Sequence, residues 1–279
     1  MTGRVASDAP WVENRPTRGR RALQLEELWA YRELVAFLAV RDIKVRYKQA
    51  VFGGAWAVVQ PLASAAIFTV VFGRLAKVSS QGVPFLVWSF TAVTLWSYFS
   101  TAVNGARGSL LANAALITKV YFPRIAAPLA SVLPGLIDLA VALVVLVGLL
   151  VWNGLAPGPE LVLAPLFLVG TVLVAFGIGT LFAAVTVQYR DVQQVFGLVL
   201  QLWLFATPVA YPPTLVKGGW QWVYHLNPVV GLVEGWRWSI LGTPAPGRQA
   251  LVSLAVGVVT LVGGLRVFQR SERRFADVI

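Results

Sequence analysis

The stretch RDIKVRYK (41–48) sets Arg41, Lys44, Arg46 and Lys48 immediately before the first long apolar run. Cations there fix the preceding chain on the inner side of a membrane and contact anionic headgroups. A second kind of chemistry lies inside the apolar runs. Trp56, Gln60, Ser64, Phe68 and Phe72 recur every fourth residue, so one helical face mixes an amide, a hydroxyl and rings. That mixture is unusual for lipid contact. Gln194, Gln201 and Phe205 share a face of a later run, and Trp88, Thr91 and Tyr98 mark a third. Covalent chemistry finds no support. There is no cysteine, no phosphate-binding Gly-x-x-x-x-Gly-Lys motif and no assignable nucleophile–base pair. His225 is the only histidine, placed beside turn residues where a surface or interface position is expected. Metal sites need clustered ligands, so no metal is expected.

The elements that hold these residues are membrane spans. Of 279 residues 57% are hydrophobic and only 13% charged, against roughly a quarter charged in soluble domains. The net charge of +11 does not indicate nucleic acid, because 10 of the 23 Lys and Arg residues fall within residues 1–51 and most others flank apolar runs. Residues 1–22, with five arginines, Pro10 and Pro16, form a disordered cytoplasmic tail without a signal-peptide core. Residues 23–48 form an interface helix and basic segment, with Leu28, Tyr31, Val35 and Leu38 on one face. Residues 49–279 form an all-α transmembrane domain with spans at about 52–73, 84–104, 126–152, 160–187, 192–211 and 248–268.

The stretch 218–242 tempts a seventh span but contains Asn227–Pro228, Glu234, Arg237 and four tryptophans. With six spans, 18 of the 23 basic residues lie on the inner side. A seventh strands Arg237 in lipid and moves the tail arginines outside. The stretch therefore reads as a re-entrant hairpin dipping in from the outer face. Asp138 is the one acid well inside a span, and at a cost of about 2.5–3.5 kcal/mol there it needs a partner or an interior position. Ala175, Gly179 and Ala183 form a small-residue seam for close packing. Residues 104–124 lie between two spans, carry Arg107, Lys119 and Arg124, and end any short helix near Tyr121 because of Pro123.

Five segments, RYKQAVFGGAWAVVQPL (46–62), NAALITKVYFPR (113–124), QYRDV (188–192), LNPVVGLVEGWRW (226–238) and SERRFADVI (271–279), resemble the polysaccharide-exporting branch of the ABC-2 permeases, the Wzm type. They occur in order and cover nearly everything after residue 25. The arginine-rich N-terminus departs from that pattern. The resemblance implies a homodimeric permease in a bacterial cytoplasmic membrane, with both termini cytoplasmic, paired with two copies of a separate ATPase. No cofactor belongs to this chain; ATP and Mg2+ belong to the partner subunit. The cargo implied is a polyprenyl-pyrophosphate-linked polysaccharide of O-antigen, galactan or teichoic-acid type.

In that scheme 104–124 resembles a coupling helix seated in the ATPase, with Asn113, Ile117, Lys119, Tyr121 and Phe122 at its core. Arg190 and Asp191 either contact the ATPase or hold the turn between the fourth and fifth spans, Arg190 capping freed carbonyls or pairing with Asp191. A lipid pyrophosphate approaches Arg41, Lys44, Arg46 and Lys48, where basic side chains bind phosphate oxygens. Sugars offer polar edges and apolar faces, which suits the three mixed stripes as a conduit. Hydrogen-bonded helix packing is the competing account of each stripe residue. Trp220, Trp222, Glu234 and Arg237 gate the outer end. A drug or lipid permease of the same family is the alternative. An ion-coupled transporter predicts several intramembrane ionisable groups, and a polyprenyl transferase predicts clustered acids; neither pattern is present.

Overall fold

Helical periodicity begins where the N-terminal apolar face begins. The computed structural model describes residues 25–48, 55–189 and 191–278, and within them the chain is helical with no strand. The tail 1–22 and Arg190 lie outside the described residues. α1 (Leu25–Ala30) leads into α2 (Arg32–Lys48). Val35, Leu38 and Ala39 of α2 are buried, with Leu28, Tyr31 and Leu34 packed around them. This is the face that the spacing selects, and burying Leu38 contributes about 2 kcal/mol. RDIKVRYK continues the same helix to Lys48.

α3 (Trp56–Phe68) runs on through wider π-helical turns to Leu75. α4 (Phe85–Ala112) follows Pro84 and is 28 residues long, about 42 Å at 1.5 Å per residue. It therefore runs two turns past residue 104, where the sequence alone ends the second span. Arg107 belongs to this helix and not to the connecting segment. Its charge is accommodated locally: the guanidinium lies 5.1 Å from the Phe196 ring centroid and donates to Asn104 Oδ1 at 3.1 Å. The connecting segment is correspondingly short. α5 (Ala114–Ile117) makes one turn, and the chain passes Pro123 to reach α6 (Ala126–Val132).

α6 meets α7 (Pro134–Trp152) at a break beside Pro134, and α8 (Ala164–Gln188) returns across the bundle. α9 (Val192–Phe205), α10 (Trp220–Tyr224), α11 (Pro228–Leu241) and α12 (Ala250–Val278) complete the described chain. Among the described residues, five stretches are long and apolar enough to cross a membrane: Trp56–Leu75, Phe85–Ala112, Ala126–Trp152, Pro159–Gln188 and Ala250–Glu272. They coincide with five of the six expected spans. The expected span at 192–211 differs. α9 stops after 14 residues, about 21 Å, and the chain turns at 206–212. α11 is equally short, so neither α9 nor α11 is long enough to cross a ~30 Å hydrocarbon core alone.

α4 is the hub. In its most apolar window 78% of residues are buried, against 17% in α3–Leu75. Two small residues on α8, Gly179 of the expected seam and Gly177 outside it, mark where the long helices approach. A Cβ on Gly179 would lie 2.4 Å from Ala106 Cβ on α4, and one on Gly177 would lie 2.4 Å from Leu261 Cα on α12. Gly177→Ala is therefore expected to force α8 and α12 apart and to destabilise the fold by about 1–3 kcal/mol. Thermal unfolding of the detergent-solubilised protein checks this, and an unchanged midpoint would contradict it.

Candidate functional site

The C-terminal end of α2, the start of α3 and the middle of α4 enclose an open cavity of about 260 Å³. Arg46 and Tyr47 come from α2, Trp56 and Gln60 from α3, Thr94, Ser97, Tyr98 and Thr101 from α4, and Asp138 from α7. Arg46 of the basic stretch thus meets Trp56 and Gln60 of the first mixed stripe and Tyr98 of another in one place. The wall combines an indole, a phenol, an amide, hydroxyls and an ion pair.

Asp138 joins the parts. Arg46 Nη1 donates to Asp138 Oδ2 at 2.7 Å, and the Tyr47 hydroxyl donates to Asp138 Oδ1. Burial, the hydrogen bond to Asp138 and its charge push the Tyr47 phenol up to about 12, so it remains a neutral donor near pH 7. The pair is partly exposed (41% and 24% for the two side chains), and such pairs contribute at most about 1 kcal/mol. Its consequence is position: it ties the end of α2 to the second turn of α7. Asp138 thus has the partners that a carboxylate within a span needs.

The other cations divide. Arg41 pairs with Asp42 at 2.6 Å, while Lys44 and Lys48 are exposed. In the first stripe Trp56 and Gln60 are exposed and Ser64 is half-buried, its hydroxyl turned to the Gln60 carbonyl. Phe68 is buried and packs edge-on against Phe72. Gln194, Gln201 and Phe205 of α9 are all exposed. Trp88 and Thr91 sit inside the bundle against α11, with the Arg237 guanidinium 3.6 Å from the Trp88 ring centroid and Trp236 Nε1 donating to the Thr91 carbonyl. Of that stripe Tyr98 alone reaches the cavity. Thr94, Ser97 and Thr101, at spacings of three and four, are the polar face that the stripe reading missed; their periodicity was legible.

The short segment after α4 is mounted rigidly. Ile117 and Phe122 are buried in a cluster with Val35 and Leu38 of α2, Leu110 of α4, Val187 of α8 and Phe268 of α12. Asn113 is also buried and donates to the Ser109 carbonyl at 2.8 Å. Arg124 donates to the Glu272 carbonyl through its side chain, and its backbone N–H donates to Glu272 Oε1 at 3.3 Å. Lys119, Val120 and Tyr121 face outward, Tyr121 at 61% exposure. Asn113, Ile117 and Phe122 therefore hold the segment, and Lys119 and Tyr121 present its outer surface. Asp191 is exposed just ahead of α9.

At the opposite end of α4 the chain folds back between α9 and α11. Asn227 secures this turn. Its Oδ1 accepts from Trp203 Nε1 and Val229 N, each at 3.0 Å, and its Nδ2 donates to the Ala206 carbonyl and Thr207 Oγ1, each at 3.0 Å. Arg237 Nη2 donates to the Pro208 carbonyl at 2.7 Å. Irregular backbone surrounded by apolar helices needs such internal partners. Trp220 and Trp222 are exposed, while Trp236 is buried and Trp238 half-buried. His225 is buried and not on the surface: its ring Nδ1 donates to the Gln221 carbonyl at 2.7 Å, and Nε2 lies 3.5 Å from Glu234. No group of metal-binding side chains occurs among the described residues.

Residues 33–241 match the ABC-2 type transporter family. The chain is 28% identical to the O-antigen export system permease protein RfbA of Klebsiella pneumoniae, covering 88% of this chain and 95% of that protein. It is also 28% identical to RfbA of Myxococcus xanthus, over 91% of this chain and 98% of that one. The polysialic acid transport protein KpsM of Escherichia coli is 25% identical over 85% of this chain and 93% of its own length.

Proposed function

Because the chain belongs to the ABC-2 type transporter family, we propose that it is the membrane subunit of an ATP-driven exporter carrying a lipid-linked polysaccharide out across the bacterial cytoplasmic membrane. The observation that carries this reading is the cavity in which Arg46, Trp56, Gln60, Ser97 and Tyr98 meet. Its indole and phenol suit the apolar face of a sugar, and its amide and hydroxyls suit the edges. The export roles of the RfbA and KpsM relatives support the cargo class.

Two copies pair in this scheme with the faces of α3 and α9 toward each other. Gln60, Gln194 and Gln201 are exposed on apolar helices, and amides at membrane depth favour protein or cargo over lipid. A separate ATPase docks on Lys119 and Tyr121 from the cytoplasm, with both termini on that side and the α10–α11 hairpin at the outer face. The pyrophosphate of the carrier binds the cations of α2, where Lys44 and Lys48 are exposed. The teichoic-acid and galactan classes share this chemistry with O-antigen.

Replacing Arg46 and Lys48 together with alanine is expected to slow export severalfold while the ATPase still co-purifies in full amount. Surface polysaccharide quantified against the wild-type chain checks it. Unchanged output would remove the proposed admission route.

A further inference from the structure

Around the turn secured by Asn227 and Arg237, a second cavity of about 170 Å³ opens at the far end of α4. Gln81, Gln221, His225, Glu234, Arg237 and Gln249 supply its polar wall, and Pro244 and Pro246 part of its rim. Arg237 is 2% exposed, and two of its hydrogen bonds go to the backbone of the 208–209 turn. Its Nε has no hydrogen-bond partner, nor does the buried Glu234 Oε2, which stands 3.5 Å from His225 Nε2. Buried polar atoms are rarely left unsatisfied. Here a donor and an acceptor on one helix, three residues apart, both belong to side chains lining the same space.

We propose that this cavity binds one neutral sugar unit, which rests on reading the cargo as polysaccharide. A hydroxyl both donates and accepts, so a sugar's vicinal pairs can meet the donors and acceptors that Glu234, His225 and the neighbouring side chains bring to the wall. The three glutamine amides extend that pattern around the ring. Glu234 and Arg237 bring opposite charges to one wall, so the cavity offers no surplus charge to balance a charged sugar and matches a neutral ring. The volume admits one ring and not a chain, being well below the ~300 Å³ of an ordinary ligand pocket. The cavity lies apart from the Arg46–Tyr98 cavity along α4, so it would hold the glycan at a separate station.

The test is saturation-transfer NMR on the full-length chain in lipid nanodiscs, using the methyl glycosides of glucose, galactose, mannose and rhamnose alongside galacturonate and glucosamine. At least one neutral glycoside is expected to bind saturably, and the two charged sugars more weakly by roughly tenfold, as for an unmatched buried charge. Glu234→Gln and, separately, the rim variant Gln249→Ala should each weaken the neutral glycoside severalfold; the second keeps the test open if the first fails to fold. Absence of saturable binding, charged sugars binding equally well, or wild-type affinity in both variants would overturn the site. Polysaccharide export by the wild-type complex is measured in the same strain. Export without glycoside binding removes this site and leaves the cargo intact, whereas binding without export removes the cargo reading and leaves the site.

Discussion

A chain carrying Lys119→Glu with Tyr121→Ala is expected to insert and fold normally yet to lose export by more than about tenfold, with a matching loss of ATPase co-purification. The expectation follows from the split within the short segment after α4. Ile117 and Phe122 are buried in the cluster that gathers α2, α4, α8 and α12, so changing them damages the fold itself. Lys119 and Tyr121 face outward, and an exposed tyrosine next to a cation has the make-up of an interface anchor. Losing about 2 kcal/mol there lowers affinity more than tenfold. The mounting matters as much as the surface. Arg124 binds Glu272 near the end of α12, so a push on Lys119 and Tyr121 reaches α4 and α12 through packed contacts and not through a slack loop. Retained co-purification together with retained export would show that docking occurs elsewhere.

Ser97→Trp is expected to plug the cavity on α4 and reduce export by at least about tenfold, through steric exclusion of the cargo from the space that joins Arg46 to Trp56 and Gln60. Ser97 is half-buried and lines a space of about 260 Å³, so an indole has room to enter it without displacing the helix. ATPase co-purification and the thermal midpoint should stay near wild type, because neither the segment proposed to dock the ATPase nor the α4–α8–α12 contact is touched. Full export in this variant would mean that cargo does not pass this cavity.

Much of the architecture was legible because apolar runs and helix length are local properties. Five spans, the buried face of α2 and the small-residue seam of α8 all follow from periodicity. What the sequence read differently came from contacts between distant residues. Arg107 looked like a loop residue until Phe196, on another helix, supplied a ring beneath it. The run 192–211 looked like a span, but the chain can turn at 206–212 because Asn227 and Arg237 bond the freed carbonyls. Asp138 looked isolated because Arg46, its partner, lies 92 residues away. The site was half legible for the same reason. Trp56, Gln60 and Tyr98 were chosen by spacing, and spacing alone did not distinguish them from Trp88 and Thr91, which α11 covers. His225 looked peripheral since nothing near it in sequence announces Glu234.

The proposed function requires a membrane path that a separate motor drives. Its most direct test is transport of lipid-linked polysaccharide into vesicles that contain the purified chain, with and without the ATPase subunit. Movement is expected only when the ATPase is present and ATP is hydrolysed. Transport by the chain alone, with no nucleotide consumed, would contradict it.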